Sequence, residues 1–184
     1  MATAARMTVD EYYATSVEGD RTQLVNGELV VTDPKPIHVE LRMRIAFALR
    51  TWVEAAPGRG QVFLPTDVAI DEYNVFGPDV LWFSEEHKQT DLHRYPDRVP
   101  DLCVEIRSPG TWRYDIGAKK DAYERGGLRE LWLVDDAGGC VLVFRRSRGD
   151  TPGFDVALEL AAGEHLTSPL LPGFTLSVAQ LFET

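Results

Sequence analysis

The stretch PDLCVEIRSPGTWRYDIGAKKDAY, residues 100–123, places an acidic residue inside an apolar run. Glu105 lies between Val104 and Ile106, and the alternation around it predicts a buried or half-buried β-strand. An ionised carboxylate is costly in such a strand unless a metal ion or a cation meets it. The sequence therefore predicts that Glu105 faces a positive partner.

A second apolar strand, DVLWF, begins at Asp79 and precedes this one along the chain. We expect the two strands to form an antiparallel hairpin with Phe83 opposite Asp101. Asp79 then falls opposite Glu105, and directly opposed residues share a face of the sheet and approach within about 5 Å. Two carboxylates at that distance repel each other, and a divalent cation with oxygen ligands is the natural occupant between them.

The segment TWRYDIGAKKDAYERGG, residues 111–127, predicts a helix that ends at its paired glycines. At about 100° per residue, one stripe covers a third of the circumference, as is typical of a face that packs on a core. The stripe contains Ile116, Lys119, Ala122 and Tyr123. Lys120 falls at its edge and is typical of a surface lysine. The three elements therefore predict that Asp79, Glu105 and Lys119 converge.

The rest of the chain predicts an alternation of helices and strands. In chain order, the further predicted elements are a short helix with a capping box at Thr8 and Glu11, a β-hairpin turning at Asn26-Gly27, a long helix over about 37–55, one strand over 61–70, a strand in RELWLVD, strands within 140–146, 154–160 and 166–171, and a short terminal helix. The core order is helix, three strands, helix, strand. We expect an α/β fold in a single domain spanning 1–184.

The charge of the chain restricts how it could bind nucleic acid. Its 184 residues carry a formal net charge of −10, which argues against binding through a global basic field. Binding would depend on a local cluster of cations. The candidates are Arg42, Arg44 and Arg50 on the long helix, and Arg107, Arg113, Lys119 and Lys120 around residues 100–123.

The sequence has no apolar run close to the roughly 20 residues that span a bilayer, and its start has no apolar signal region. We therefore expect a soluble, cytoplasmic protein. Cys103 and Cys140 lie in apolar strand-like runs, which favours small buried side chains over a disulfide or a catalytic thiol.

Seven short motifs resemble a known family in their order and coverage. They are MTVDEYY, LVNGELV, GPDV, VEIRSP, YDIGAKKDAYERGG, ELWLVD and LLPGF. Each motif is weak alone, but together they run from about residue 7 to residue 182 and resemble the Uma-type restriction endonuclease family of the PD-(D/E)xK nuclease superfamily. The resemblance implies a restriction-endonuclease-like core with an N-terminal β-hairpin and extra C-terminal strands.

The resemblance also implies roles for individual residues. Asp79 and Glu105 match the metal-binding carboxylates, with the backbone carbonyl of Ile106 as a further ligand, and Lys119 matches the catalytic lysine that this family carries on its helix. Typical superfamily members hold their lysine on the strand, where this sequence has Arg107. An arginine stays protonated, so it could hold a phosphate but could not act as a base.

One position departs from the family pattern. Gln23 stands where a glutamate usually precedes the NGEL-like turn, and its amide oxygen could still coordinate a metal ion but brings no charge. His38 matches a histidine often found near the family's site, with a capping or structural role as the alternative. Arg107, Arg113 and His38 are the predicted substrate contacts, although either arginine could instead form a structural ion pair with Glu105.

The implied function is a Mg²⁺-dependent endonuclease that hydrolyses DNA phosphodiester bonds, with Mn²⁺ as a substitute and a homodimer as the functional unit. The alternative is a nuclease-like domain without catalysis that serves as a binding or assembly module. Gln23 and the net charge of −10 favour the alternative. The intact Asp79, Glu105 and Lys119 favour the enzyme.

Overall fold

The structure is a computed structural model that describes residues 6–17 and 20–183. Its helices are α1 (Val9–Thr15), α2 (Pro36–Glu54), α3 (Trp112–Tyr114), a π-helical turn (Asp115–Lys119), α4 (Lys120–Arg125) and α5 (Val178–Phe182). Its strands are β1 (Thr22–Val25), β2 (Glu28–Val31), β3 (Gln61–Phe63), β4 (Val68–Asp71), β5 (Asn74–Phe76), β6 (Val80–Phe83), β7 (Leu102–Ile106), β8 (Glu130–Asp135), β9 (Cys140–Arg145), β10 (Val156–Leu160), β11 (His165–Leu166) and β12 (Leu176–Ser177).

The main sheet has six strands in the order β10-β9-β8-β7-β6-β3. Strands β7 and β8 are parallel, and the segment from α3 to α4 connects them, whereas the other neighbours are antiparallel. Every residue of β7 is buried, as expected for a strand covered on both faces. The order α2, β3, β6, β7, α3–α4, β8 confirms the predicted core of helix, three strands, helix, strand.

The two faces of β7 belong to different cores. Leu102, Val104 and Ile106 pack in the cluster that includes α2, while Cys103 packs in the cluster that includes Ala122 and Tyr123 of α4. Side chains alternate across a strand, so Glu105 shares the face of Cys103 and points toward α4. This alternation directs the predicted carboxylate toward the helix that carries the predicted lysine.

The register of β6 and β7 agrees with the predicted hairpin. Val80 pairs with Val104 and Trp82 pairs with Leu102, so the next step outward places Asp79 opposite Glu105. The backbone N–H of Asp79 donates to the carbonyl of Val104 over 2.9 Å. The counting of residues from the sequence therefore predicted the register of this pair correctly.

A second sheet of four strands, in the order β2-β1-β5-β4, is formed by the N-terminal hairpin and a later one. Asn26 and Gly27 have φ of 51° and 78°, which confirms the predicted turn with two residues at positive φ. A Cβ on Gly27 would lie 2.6 Å from the Cβ of Arg6, so the N-terminal segment packs where only glycine leaves room.

The predicted single strand over 61–70 is wrong. It divides into β3 and β4, which belong to different sheets, and the irregular segment between them contains Pro65. Proline has no N–H for a strand ladder, so it favours such a break. Strand β5 was not predicted, and the strand predicted over 166–171 begins one residue earlier and ends at Leu166.

The predicted helix over 111–127 contains a π-helical turn that the spacing did not predict. Ile116, placed in the core-facing stripe, is 47% exposed, whereas Lys119, Ala122 and Tyr123 are buried as predicted. A π-helical turn is wider than an α-helical turn, so it rotates the preceding residues relative to those that follow. The prediction that these residues face the core is therefore confirmed only from Lys119 onward.

Other local predictions are confirmed. Thr8 and Glu11 form a complete capping box on α1, strands β9 and β10 fall where predicted, and the terminal helix is α5. Cys103 and Cys140 are free and buried. In the part of the chain that the structure describes, no helix has both the length and the apolarity needed to cross a bilayer.

Candidate active site

A cavity of about 410 Å³ lies between the N-terminal sheet, α2, the end of the main sheet and the π-helical turn. Its lining includes six of the eight residues predicted for the site, which are Gln23, His38, Asp79, Glu105, Ile106 and Lys119. Arg107 and Arg113 are absent from the described lining. The cavity therefore collects the predicted carboxylates and lysine but not the predicted arginines.

Asp79 is buried at the start of β6 and meets cations from α2. Its Oδ1 lies 2.8 Å from Nε2 of His38 and accepts hydrogen bonds from Nη2 (2.5 Å) and Nε (3.0 Å) of Arg42. Its Oδ2 accepts from the backbone N–H of Ile106 over 2.8 Å. Burial alone would raise the pKa of Asp79, but these two side chains and the N–H outweigh burial and lower it.

His38 lies within the first turn of α2 and not before the helix. Its Nδ1 is 3.3 Å from the backbone carbonyl oxygen of Arg107, and its Nε2 faces Asp79. Burial would lower the pKa of His38, but the hydrogen bond and charge of Asp79 raise it. A ring protonated on both nitrogens can donate to both acceptors, but its Nε2 also lies 2.9 Å from the donor Nη2 of Arg42.

Glu105 is buried and does face a cation. Its Oε1 lies 2.7 Å from Nζ of Lys119 and accepts a 2.7 Å hydrogen bond from the Tyr123 hydroxyl. Burial raises the pKa of Glu105 to about 7, and the nearby carboxylates of Asp115 and Asp79 oppose the attraction of Lys119. Glu105 therefore takes a proton much more readily than an exposed glutamate.

Lys119 lies between two carboxylates. Its Nζ is 2.7 Å from Glu105 and 3.0 Å from Oδ1 of Asp115, and it also lies 5.4 Å from the ring centroid of Phe76. Burial would lower the pKa of Lys119, but the charges of Asp115 and Glu105 outweigh burial and raise it. Lys119 is therefore held as an ammonium that can donate hydrogen bonds and stabilise negative charge.

Three residues of the site were missed in the sequence. Asp115 is buried and pairs with Lys119 four positions later, a spacing at which side chains on a helix meet. Arg42 follows His38 by the same spacing, but the sequence placed it only in a candidate cluster of cations for nucleic-acid binding. Tyr123 was assigned to the core stripe, and its hydroxyl could have indicated a partner, since a buried tyrosine hydroxyl usually finds one.

The predicted arginines have other partners. Nη1 of Arg107 lies 2.7 Å from Oδ1 of Asp135, and its guanidinium lies 5.6 Å from the ring centroid of Trp112. Arg113 donates to the Tyr114 hydroxyl over 2.8 Å. The ion pair of Glu105 therefore forms with Lys119, and the alternative pair with Arg107 or Arg113 does not form.

The arginines of α2 do not form a free basic patch. Arg44 pairs with Glu40 over 2.9 Å, and Arg50 pairs with Glu54 over 2.6 Å. Arg42 instead points at the cavity, where it contacts Asp79. The basic residues in the described lining of the cavity are Arg21, His38, Arg42 and Lys119, and each lies beside a carboxylate.

The donor atoms of the cavity are mostly oxygens. Gln23 lines it, and its side chain makes no hydrogen bond within the described residues. Among residues 6–17 and 20–183, no group of three or more His, Cys, Asp and Glu side chains is placed to hold a metal ion. A metal ion held by the predicted ligands Asp79 and Glu105 would therefore need neutral oxygens or water to complete its coordination.

The core order and the cavity of carboxylates and lysine define a protein of the restriction-endonuclease-like nuclease class. A family model described as "Uma2: Putative restriction endonuclease" matches residues 9–179. The chain belongs to this Uma2 family, which confirms the resemblance of its motifs.

Comparison with solved structures supports the same fold. A crystal structure described as "a putative nuclease belonging to DUF820", from Anabaena variabilis, has a TM-score of 0.79 with this chain. The two chains share 16% identity, and the match covers 96% of this chain and 97% of the other. At that identity the likeness shows the fold alone. No curated protein matches the chain.

Proposed function

We propose that this protein is a metal-dependent endonuclease that hydrolyses DNA phosphodiester bonds in the cavity around Asp79. The observation that carries the proposal is the convergence of Asp79, Glu105 and Lys119 in one cavity of a Uma2 protein. Two carboxylates and an ammonium are the groups that metal-assisted phosphodiester hydrolysis requires.

The proposed ion is Mg²⁺, with Mn²⁺ as a substitute, and the donor set fits it in kind. Mg²⁺ takes oxygen ligands, usually one or two carboxylates with several waters. Asp79 and Glu105 would hold it, with the carbonyl of Ile106 and the amide oxygen of Gln23 as neutral donors. Because Asp79 already contacts His38 and Arg42, these two cations would compete with the ion.

Several residues of the cavity would have separate roles around a bound phosphodiester. The ion would supply a Lewis acid and lower the pKa of a bound water. Lys119, held as an ammonium by Asp115 and Glu105, would orient that water or stabilise the charge of the pentavalent transition state. Arg42 and His38, beside Asp79, would bind a phosphate oxygen. The product would carry a 5′-phosphate, by resemblance to the superfamily.

The test is cleavage of plasmid DNA with Mg²⁺ or Mn²⁺ by wild type and two variants. Asp79→Asn keeps the shape of the side chain but removes its charge, and we expect a loss of at least tenfold in rate, about 1.4 kcal/mol in activation free energy. Lys120→Met is the control variant, because Lys120 lies outside the described lining of the cavity and its loss should leave the rate unchanged. Cleavage by Asp79→Asn at the wild-type rate would contradict the proposed site.

A second candidate function is a nuclease-like binding or assembly module without catalysis. One observation favours it: the guanidinium of Arg42 lies 2.5 Å from Asp79, where a metal ion would bind. In that case wild type would bind DNA without cleaving it in either metal, and thermal unfolding would be insensitive to Mn²⁺.

We also propose that the functional unit is a homodimer, that the protein is cytoplasmic and that the chain forms one domain. The outer face of α2 supports a dimer, because Val39, Met43 and Phe47 are exposed at helical spacing, with Phe47 75% exposed. Light scattering on wild type and Phe47→Asp tests this, with the exposed Leu158→Asp as control. A monomeric wild type would contradict the dimer.

A further inference from the structure

A second groove, of about 650 Å³, opens beside the active-site cavity. We call it the tyrosine groove, because Tyr12, Tyr13 and Tyr95 line it. The two spaces share four lining residues, which are Asp20, Pro65, Thr66 and Asp67. The two spaces therefore adjoin at these four residues.

The three tyrosines form an aromatic stack that ends in the groove. Tyr12 is buried and meets Tyr13 edge to face, with ring centroids 5.5 Å apart. Tyr13 stacks on Tyr95 at 5.4 Å with an interplanar angle of 18°. Tyr95 is 60% exposed, so the stack has an open end on which a further flat ring can lie.

The charge of the groove indicates which part of a nucleotide would fit. Its described lining has two carboxylates, Asp20 and Asp67, and neither lysine nor arginine. A phosphate would be repelled there, whereas the amino and imino groups of a base edge can donate to a carboxylate.

Asp67 is oriented for such a contact by α1. The Tyr12 hydroxyl lies 3.0 Å from the carbonyl oxygen of Thr22 and 3.3 Å from Oδ2 of Asp67, so these two acceptors share its single proton. In the described part of the chain, Oδ1 of Asp67 accepts no hydrogen bond. This oxygen would lie 3.7 Å from a Cβ on Gly77, and both Asp67 and Gly77 line the active-site cavity. One carboxylate oxygen is thus available between the two spaces.

We propose that the tyrosine groove binds an unpaired nucleobase next to the phosphodiester that is cut, so that the substrate is a single strand or carries a flipped-out base. A paired base inside a duplex cannot present its face to Tyr95 or its edge to Asp67. The nature of the ligand, nucleic acid, rests on the proposed nuclease function, but the groove itself can be tested by binding alone.

The competing role for Tyr95 is to anchor the irregular segment 84–99 against α1. Two variants separate these roles. Tyr95→Phe keeps the ring, and Tyr95→Leu keeps apolar bulk for anchoring but removes the aromatic face. Thermal unfolding of both variants checks that the fold is retained.

The probe is a short single-stranded DNA oligonucleotide with one fluorescent adenine analogue, whose emission is quenched when it stacks. Binding is measured in Ca²⁺, which takes oxygen ligands as Mg²⁺ does. We expect Tyr95→Phe to bind as wild type does. Tyr95→Leu should bind about 5-fold to 150-fold more weakly and lose the quenching, since stacking of one base on an aromatic ring contributes about that factor.

The outcomes separate this inference from the proposed nuclease function. Equal binding and quenching in wild type and Tyr95→Leu, or no binding of the single strand by wild type, would each overturn the inference. Binding that follows the ring at position 95, without cleavage in Mg²⁺ or Mn²⁺, would support the groove and refute the nuclease.

Discussion

Replacing Glu105 by glutamine should change how the stability of the protein depends on pH. Glutamine keeps an oxygen that can accept from Lys119 and Tyr123, but it carries no charge. In the wild type, burial raises the pKa of Glu105 from 4.5 to about 7. The folded protein therefore binds the Glu105 proton more tightly than the unfolded chain does in this range.

The difference in the Glu105 pKa between the folded and unfolded protein determines how the free energy of unfolding changes with pH. The contribution of the protonated carboxyl to stability is complete below about pH 4.5 and is lost as the pH rises through about 7. A tenfold change in a protonation equilibrium corresponds to about 1.4 kcal/mol. The free energy of unfolding of wild type, relative to Glu105→Gln, should therefore fall by about 3 kcal/mol across this range.

The assay is urea unfolding of both proteins in a metal chelator, at several pH values between about 5 and 8. Glu28→Gln, which neutralises an exposed carboxylate on β2, controls for the change in net charge. A difference between wild type and Glu105→Gln that stays constant across this range would refute the reasoning. It would mean that Lys119 holds Glu105 ionised despite its burial.

Three further predictions concern catalysis, metal binding and the fold. Plasmid cleavage should be abolished by Lys119→Met and nearly unchanged by Arg107→Ala, because Lys119 lines the cavity whereas Arg107 pairs with Asp135. Loss of cleavage in the arginine variant alone would show that the assignment of Lys119 is wrong. Gln23→Glu should bind Mn²⁺ about tenfold more tightly in calorimetry, because it adds a charged ligand to the lining, and unchanged affinity would exclude this side chain from the metal site. Gly27→Ala should lower the free energy of unfolding by about 1–2 kcal/mol because of its positive φ, and by more because of the contact with the N-terminal segment. Gly163→Ala, also at positive φ but with open space around it, should show only the loss from its backbone conformation. Equal losses of the two variants in urea unfolding would contradict the steric argument.

Much of the fold could be predicted because the deciding interactions are local. The capping box of Thr8 and Glu11 spans three residues, and the turn at Asn26-Gly27 depends on backbone angles that these residue types favour. Alternation within a strand and opposition across a hairpin are periodic, so counting residues along the sequence predicts that Asp79 lies opposite Glu105, as the register of β6 and β7 shows.

The failures involve competition between distant segments. Residues 61–70 have strand-forming side chains throughout, but the chain divides at Pro65 because its two halves pair with strands of different sheets. The side chain of Ile116 is exposed because a π-helical turn changes the phase of its helix. No periodic pattern of residue types in the sequence indicates the break at Pro65 or the π-helical turn, since each depends on which tertiary contacts are available.

The sequence by itself determined the chemical groups of the site and two of its geometric relations: the opposition of Asp79 to Glu105 and the inward direction of Lys119. Only the tertiary structure decided how those charges are satisfied. Arg42 reaches Asp79 from another element, 37 residues away in the chain, and Lys119 is shared between Glu105 and Asp115. The physical reason is that periodicity determines the direction of a side chain, whereas the partner of a buried charge depends on which elements pack beside it.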